Sequence, residues 1–253
     1  MVVIDAAGMY YRDLNRRIRE HVARGEREFL LENVNGQYYI CDGITEPIRV
    51  TIHGVPGQDL GAFMSGPVIH VYGNGQDNIG NTMNAGKIVV HGHGGDVVGY
   101  GMRGGKIFIQ GDVGYRVGIH MKGYLDQVPV LIVGGKAGDF FGEYMAGGVL
   151  ILLGMTPDAR PVHGDYLGTG MHGGTIYVRG EVDRRRLGKG VGVVPVTEED
   201  RRFLEEQIRE FSQDVGMDAA EILSRPFTKL VPLSSRPYGS LYASWLSGRV
   251  IHR

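Results

Sequence analysis

The chain has 253 residues, 42 of them glycine, and a formal net charge of −1. Hydrophobic residues make up 42 % and charged residues 22 %, which supports a packed core and excludes a chain disordered throughout. Near-neutrality gives no electrostatic reason to expect nucleic acid or an anionic membrane as partner. The single cysteine, Cys41, excludes a disulfide framework, a cysteine-rich zinc site or an iron–sulfur cluster within this chain. The sequence opens without a signal-peptide pattern, and no apolar run approaches the ~18 residues of a membrane helix. A cytoplasmic protein is expected.

The first predicted element is an amphipathic helix over residues 12–24, with Leu14, Ile18 and Val22 on one face and Gly25 closing it. Such a helix suits the open end of a larger sheet structure, which needs covering. Residues 28–40 read as two strands around Asn33-Val34-Asn35-Gly36, because Asn-Gly is a strong turn signal.

The next region is a repeat. Residues 50–182 hold 32 of the 42 glycines. Short Val/Ile-rich runs at 49–53, 68–72, 87–91, 106–110, 129–133, 149–153 and 175–179 read as strands. The glycines that close them are 54, 73, 92, 111, 134, 154 and 180, so the first three intervals are 19 residues each and the next 23, 20 and 26. Seven residues after the closing glycine comes another, at Gly61, Gly80, Gly99 and Gly118; ten after it comes Met64, Met83, Met102 and Met121. The fifth coil is shifted by one, to Gly142 and Met145. The last carries an insertion at 156–165 and regains the register at Gly170-Met171.

About 19 residues is too short for a strand–helix–strand unit, which takes roughly 30. It suits one rung of a solenoid, in which parallel strands stack ~4.8 Å apart. The predicted fold is therefore an all-β core, a single right-handed parallel β-helix of about seven coils. Equivalent residues stack in columns, so the methionines form a ladder. Unbranched and adaptable, they read as core filler rather than as copper ligands.

Beyond the repeat, Arg184-Arg185-Arg186 leads into a glycine-rich hinge at 188–192. Thr197 and the acidic residues after it open a helix with Phe203, Leu204, Ile208 and Phe211 as its stripe and Gly216 as its end. A short helix follows at 218–223. The tail, 225–253, has little periodicity but is rich in apolar residues, including Tyr238, Leu241, Tyr242 and Trp245. It needs something to pack on. The expected division is a helical cap at 1–27, the β-helix at 28–182, and a hinge, helices and irregular tail at 183–253.

Candidate site residues are few. Gly99-x-Gly101-x-x-Gly104 and Gly168-x-Gly170-x-x-Gly173 match a dinucleotide fingerprint, but each leads into a strand rather than a helix, so nucleotide binding is rejected. His53, His70 and His91 end successive strands and read as one surface ladder. With His93, His120, His163 and His172 they show no convergent partners for a metal. Asp77, Asp96, Asp112 and Asp139 follow the closing glycines and suit side-chain-to-backbone bonds in turns better than calcium binding. No nucleophile elbow exists. No catalytic, cofactor-binding or metal residue is assigned.

The runs GVPGQDLGAFMSG from Gly54, GNGQDNIGNTMNAGKIVVHG from Gly73, GKAGDFFGEYMAGGVLILLG from Gly135 and GTGMHGGTIYVRG from Gly168 resemble the C-terminal GXGXG β-helix domain of the glutamate synthase large subunit. The approach segment Asn33-Val34-Asn35-Gly36-Gln37 fits too, and the resemblance covers about 28–181. It implies a part of an enzyme that moves the glutamine amide nitrogen onto 2-oxoglutarate. That chemistry needs an N-terminal cysteine amidotransferase domain and an FMN-binding barrel with an iron–sulfur cluster, and this sequence contains neither. The implied role is a non-catalytic β-helix supplied as a separate polypeptide, as in split glutamate synthases, bracing amidotransferase and FMN-binding synthase subunits. FMN and the cluster then belong to partner chains. A related β-helix subunit of formylmethanofuran dehydrogenase is the alternative, and an independent role a third. A homo-oligomer of the isolated chain is also expected to be possible, since solenoids expose strand columns.

Overall fold

The computed structural model describes residues 1–233. Among these residues one sheet of eleven strands follows chain order, except that the eleventh strand lies between the ninth and the tenth. Its repeat portion comprises β3 (Arg49–Val55), β4 (Ser65–Tyr72), β5 (Ala85–Val90), β6 (Lys106–Ile109), β7 (Val130–Val133), β8 (Ala146–Leu152) and β9 (Gly173–Arg179). Each pairs in parallel with the next. These seven strands enclose six turns of a parallel β-helix, and one more turn precedes β3. The expected solenoid is the observed one.

Strand pairing puts equivalent side chains in register. Ile52, Val71, Val90, Ile109, Val133, Leu152 and Val178 form one inward column. All are buried in a single core cluster. The methionines lie in the same core: Met64, Met83, Met102, Met121 and Met145 are fully buried and Met171 nearly so. They are filler, as expected.

The turns between strands follow one backbone recipe. Three alternating residues take left-handed φ, first at Tyr39, Cys41 and Gly43, then at Asp59, Gly61 and Phe63, and so on to Tyr166, Gly168 and Gly170. The outer two of each trio tolerate side chains because these point to solvent, as Phe63 and Tyr166 do. The middle one points inward. A Cβ at Gly61 would lie 2.8 Å from Ile88 Cδ1 and 2.9 Å from Met64 Sδ, and one at Gly99 would lie 2.7 Å from Leu131 Cδ1. Glycine is required there by space as well as by φ. In the last coil the position is held by Gly168, whose carbonyl accepts from Met171 N at 3.0 Å as Gly61's accepts from Met64 N at 3.3 Å. The register therefore returns at Gly168, not at Gly170.

These turns are hydrogen-bonded to their neighbours as fully as the strands. Asp59 N donates to Asp77 O in the following coil, Gly61 N to Ile40 O in the preceding one, and Phe63 N to Asn81 O in the following one again. The first coil has no predecessor to fill its outward-facing carbonyls. Helix α1 (Tyr11–Ala23) takes that place. Its Asn15 Nδ2 donates to Tyr38 O at 2.8 Å, and its Arg19 guanidinium donates to Asp42 O. Leu14, Ile18 and Val22 seat the helix in the solenoid core, the face read from their spacing. At the far end Gly188 N donates to Leu167 O, and Leu187 pairs in parallel with Leu167. Leu187-Gly188 thus stands where a further coil would carry its Leu-Gly.

Three local expectations change. Residues 28–40 form no hairpin: β2 (Glu28–Asn35) is one strand, parallel to both β3 and β1 (Val2–Asp5), with α1 as the crossover. Asn33 and Gly36 do take positive φ, but within and just after a bulged parallel strand. The expected hinge at 188–192 runs into β10 (Val191–Val194). The start of the expected irregular tail is β11 (Phe227–Pro232), which pairs antiparallel with both β9 and β10. The remainder of that tail lies outside the described residues.

The helix α2 (Glu198–Val215) begins at Thr197, whose hydroxyl accepts from Asp200 N while the Asp200 carboxylate accepts from Thr197 N. This reciprocal cap is followed by a left-handed Gly216 at the other end. A short α3 (Ala219–Leu223) follows. Leu204, Ile208 and Phe211 press onto a second apolar column, Val89, Phe108, Ile132, Ile151 and Tyr177, on the outer face of β5 to β9. Phe108 and Phe211 meet edge-on, 5.6 Å between centroids.

Candidate functional surfaces

The residues that carry chemistry fall into columns, and most are bound to the next coil. Asn74 Oδ1 accepts from His93 N at 2.9 Å, His93 Nδ1 accepts from Asp112 N at 2.9 Å, and Asp112 Oδ1 accepts from Lys136 N at 2.9 Å. A parallel column runs from Asp77, which accepts from Asp96 N, to Asp96, which accepts from Tyr115 N. Asp139 accepts from Asp165 N at 2.7 Å. The side-chain-to-backbone role read for the aspartates is thus observed, but the bond reaches the following coil instead of closing the aspartate's own turn. Because it accepts from Asp112 N, His93 Nδ1 is unprotonated in this arrangement.

Asp112 also anchors the insertion at 156–165. Thr156 Oγ1 donates to its Oδ1, and Arg160 donates to its Oδ2 at 2.6 Å. Beneath this loop lies Lys136, 5 % exposed, with Nζ donating to the carbonyls of Asp158 and Arg160 and to the Asp158 carboxylate. The Arg160 and Lys136 bonds hold the Asp158 carboxyl well below its ordinary range.

The histidine ladder differs from its expected form. His53 and His91 share a column, but its member between them is Tyr72, paired with His53 and stacked on His91 at 4.3 Å. His70 belongs to the adjacent column, pairing with Thr51 and Val89. It lies two residues before Tyr72, and its Nδ1 comes within 3.3 Å of His91 Nε2. Glu32 holds His53 Nδ1 at 3.0 Å. Burial lowers the affinity of His70 for a proton, with Lys87 and Arg49 acting in the same sense and Asp214 opposing. Burial lowers that of His91 also, assisted by His70. The result is a half-buried imidazole–phenol cluster beside the end of α2. No nucleophile adjoins it, and no three His, Cys, Asp or Glu groups converge on a metal-sized site among the described residues.

His163 is buried, its Nδ1 2.8 Å from Gly164 O. His120 stacks on Tyr144, and His172 is half-buried on the last coil's turn, its Nδ1 3.4 Å from Gly170 O. Cys41 takes the inward left-handed position of the first coil, 1 % exposed, with burial pushing its thiol up to about 12. It is an inert core residue. Both glycine fingerprints lie in turns that run into β6 and β9, as expected.

What the sequence reading passed over is the outer surface of the turns. Tyr100, His120 and Tyr144 form one exposed aromatic stripe, and Arg116, Phe140 and Tyr166 another. The signal was present in the repeat, since His120, Phe140, Tyr144 and Tyr166 all occupy outer positions of a trio, while Tyr100 sits just before one such position. Surface grooves of ≈ 560 Å³ and ≈ 580 Å³ lie beside α1 and between β10, α2 and β11. The molecule presents ladders, stripes and grooves suited to binding. The polar side chains Asn74, Asp77, His93, Asp96, Asp112 and Asp139 hold coil to coil. No helix among the described residues is long and apolar enough to cross a membrane.

The family model described as GXGXG motif matches residues 24–233. An uncharacterized protein of Methanocaldococcus jannaschii is 48 % identical over 250 residues, covering 95 % of this chain and 96 % of the relative.

Proposed function

The chain belongs to the GXGXG motif family, that of the C-terminal domain in the large subunit of glutamate synthase, and from that premise we propose that it is a non-catalytic scaffold. It braces an amidotransferase chain and an FMN-binding synthase chain in a split glutamate synthase of the cytoplasm. One observation carries the reading. The family match spans the whole β-helix with its helical cover, and the candidate histidines and aspartates of that span are engaged in structural contacts. The chemistry then resides in partners. Cys41 is buried and single, so an iron–sulfur cluster belongs to another chain, as does FMN.

The test is recovery of the tagged chain from its own cells, with mass spectrometry and an absorbance spectrum of the eluate. An amidotransferase chain together with a yellow FMN-binding chain is expected. Recovery of molybdenum- or tungsten-enzyme subunits would replace this reading with the formylmethanofuran dehydrogenase type. A colourless homo-oligomer alone would point to an independent role.

A further inference from the structure

A cationic and aromatic surface lies at the first coil, away from the ladders. Residues 10–27 carry six arginines against Asp13, Glu20 and Glu26, a net +3, while the whole chain is −1 and the remainder therefore −4. Arg12, Arg16 and Arg19 follow one side of α1 at helical spacing and line the ≈ 560 Å³ groove with Tyr11 and Tyr39, together with the carboxylates of Glu20 and Asp42, which leave the lining one positive charge in excess. Four tyrosines gather at its mouth. Tyr11 lies 4.6 Å from Tyr10 and 5.8 Å from both Tyr38 and Tyr39, centroid to centroid. Tyr10, Tyr38 and Tyr39 are 56 %, 43 % and 43 % exposed. The Arg12 guanidinium lies over the Tyr11 ring at 5.8 Å.

Part of this charge is already used: Arg16 pairs with Asp13 at 2.7 Å and with Glu20 at 3.9 Å, and Arg19 seals the first coil through Asp42 O. Arg12 donates only to a neutral phenol, Tyr11 OH at 3.2 Å. Tyrosine and arginine are the side chains that dominate the centres of protein interfaces. The net positive charge of the groove, with Arg12 lacking a carboxylate partner, on a chain otherwise negative favours an acidic occupant.

We propose that this face docks an acidic, partly apolar segment of a partner protein, its carboxylates meeting Arg12 and Arg16 and its apolar side chains lying against Tyr10, Tyr11 and Tyr38. The inference rests on the chain being a partner-binding scaffold, but not on which complex it joins. Failure of the co-purification above with peptide binding intact would separate the two.

The test is fluorescence anisotropy of the full chain with a fluorescein-labelled peptide of alternating glutamate and leucine. A lysine–leucine peptide and a short single-stranded RNA serve as competing probes. Binding of the acidic peptide is expected to weaken at least about threefold as salt rises from about 50 to about 200 mM. The double substitution Arg12→Glu and Arg16→Glu is expected to abolish it with the unfolding midpoint retained, because neither residue touches the buried face of α1. Tyr10→Ser is expected to weaken it without altering the salt dependence. Tighter binding of the RNA, equal binding of the lysine peptide, or indifference to the arginine substitutions would overturn the proposal.

Discussion

Strands β3 and β4 obey the same repeat as β5 to β9, yet their outer faces differ. The inner faces match coil for coil: Ile52 and Val71 continue directly into Val90, Ile109 and Val133. On the outer face the column reads Thr51 and His70, then Val89, Phe108, Ile132, Ile151 and Tyr177. The change falls where α2 arrives. Lysines flank the covered stretch, Lys87 meeting Glu210 at 2.6 Å and Asp214 at 2.8 Å. The lesson is that the solenoid's interior is dictated by its own periodicity, whereas its outer surface is dictated by whatever lies against it. Strands buried on both faces lose their alternation and read as continuous apolar runs.

The comparison is broken most forcefully from the inside. Gly99→Val places a branched side chain at positive φ against Leu131, and combined strain and overpacking are expected to cost up to about 6 kcal/mol. Denaturant unfolding measures this, and unchanged stability would mean that the assigned register is wrong. On the covered outer face, Phe211→Ala removes the side chain that meets Phe108. A loss of about 3–5 kcal/mol is expected, without loss of the parallel ladder by far-ultraviolet circular dichroism. Were the two faces one cooperative core, that variant would unfold the solenoid as well.

A smaller effect is expected at the polar seam beneath α2. Tyr177 OH donates to Asp200 Oδ1 at 2.6 Å, and Lys229 donates to both carboxylate oxygens at 2.8 Å. Burial works to raise this carboxyl, but the bonds from Lys229, Tyr177 and Thr197 outweigh it and hold it at about 2. Tyr177→Phe is expected to cost about 1.5–3 kcal/mol at neutral pH, read from the unfolding midpoint. The Asp200 contribution is present above the ordinary carboxyl range and is lost as pH falls toward 2.

The open outer face gives the mildest response. His70 and His91 have folded-state proton affinities below their ordinary value of 6.5, so the unfolded chain takes up protons first as the solution is acidified. Their contribution is complete above about pH 6.5 and is lost below it as pH passes through the folded-state values. A fall in melting temperature between about pH 7.5 and 5.5, reduced in His70→Gln, is expected. A melting temperature that rose on acidification would contradict the assigned environment. Cys41 should resist thiol reagents in the native state and react only on unfolding.

Much of this architecture was legible because a solenoid writes its geometry as a period. The methionine column, the inward glycines and both long helices follow from spacing alone. Asn33-Val34-Asn35-Gly36 misled, because a turn dipeptide also serves where a strand bulges and where a coil bends. β10 and β11 carry no repeat; their strand character comes from pairing with β9, a long-range contact that local pattern does not encode. His70 was placed in the wrong column by two residues, and only the pairing of His53 with Tyr72 resolves it. The basic and aromatic face of the first coil was invisible for another reason. Tyr10 and Tyr11 lie far in sequence from Tyr38 and Tyr39, and α1 folds back to bring them together.

The two seals of the solenoid have a consequence for its evolution. Asn15 and Arg19 satisfy only the first coil, and Leu187-Gly188 satisfies only the last. Neither senses how many coils lie between. Length is therefore a whole-number property of the gene: duplicating or deleting one 19-residue unit, such as 54–72, shifts the rod by about 4.8 Å and leaves every column in phase. A change of any other size interrupts the columns unless it is expelled as a surface loop, which is the form taken by the exposed residues 157–161 before the coil resumes at Val162.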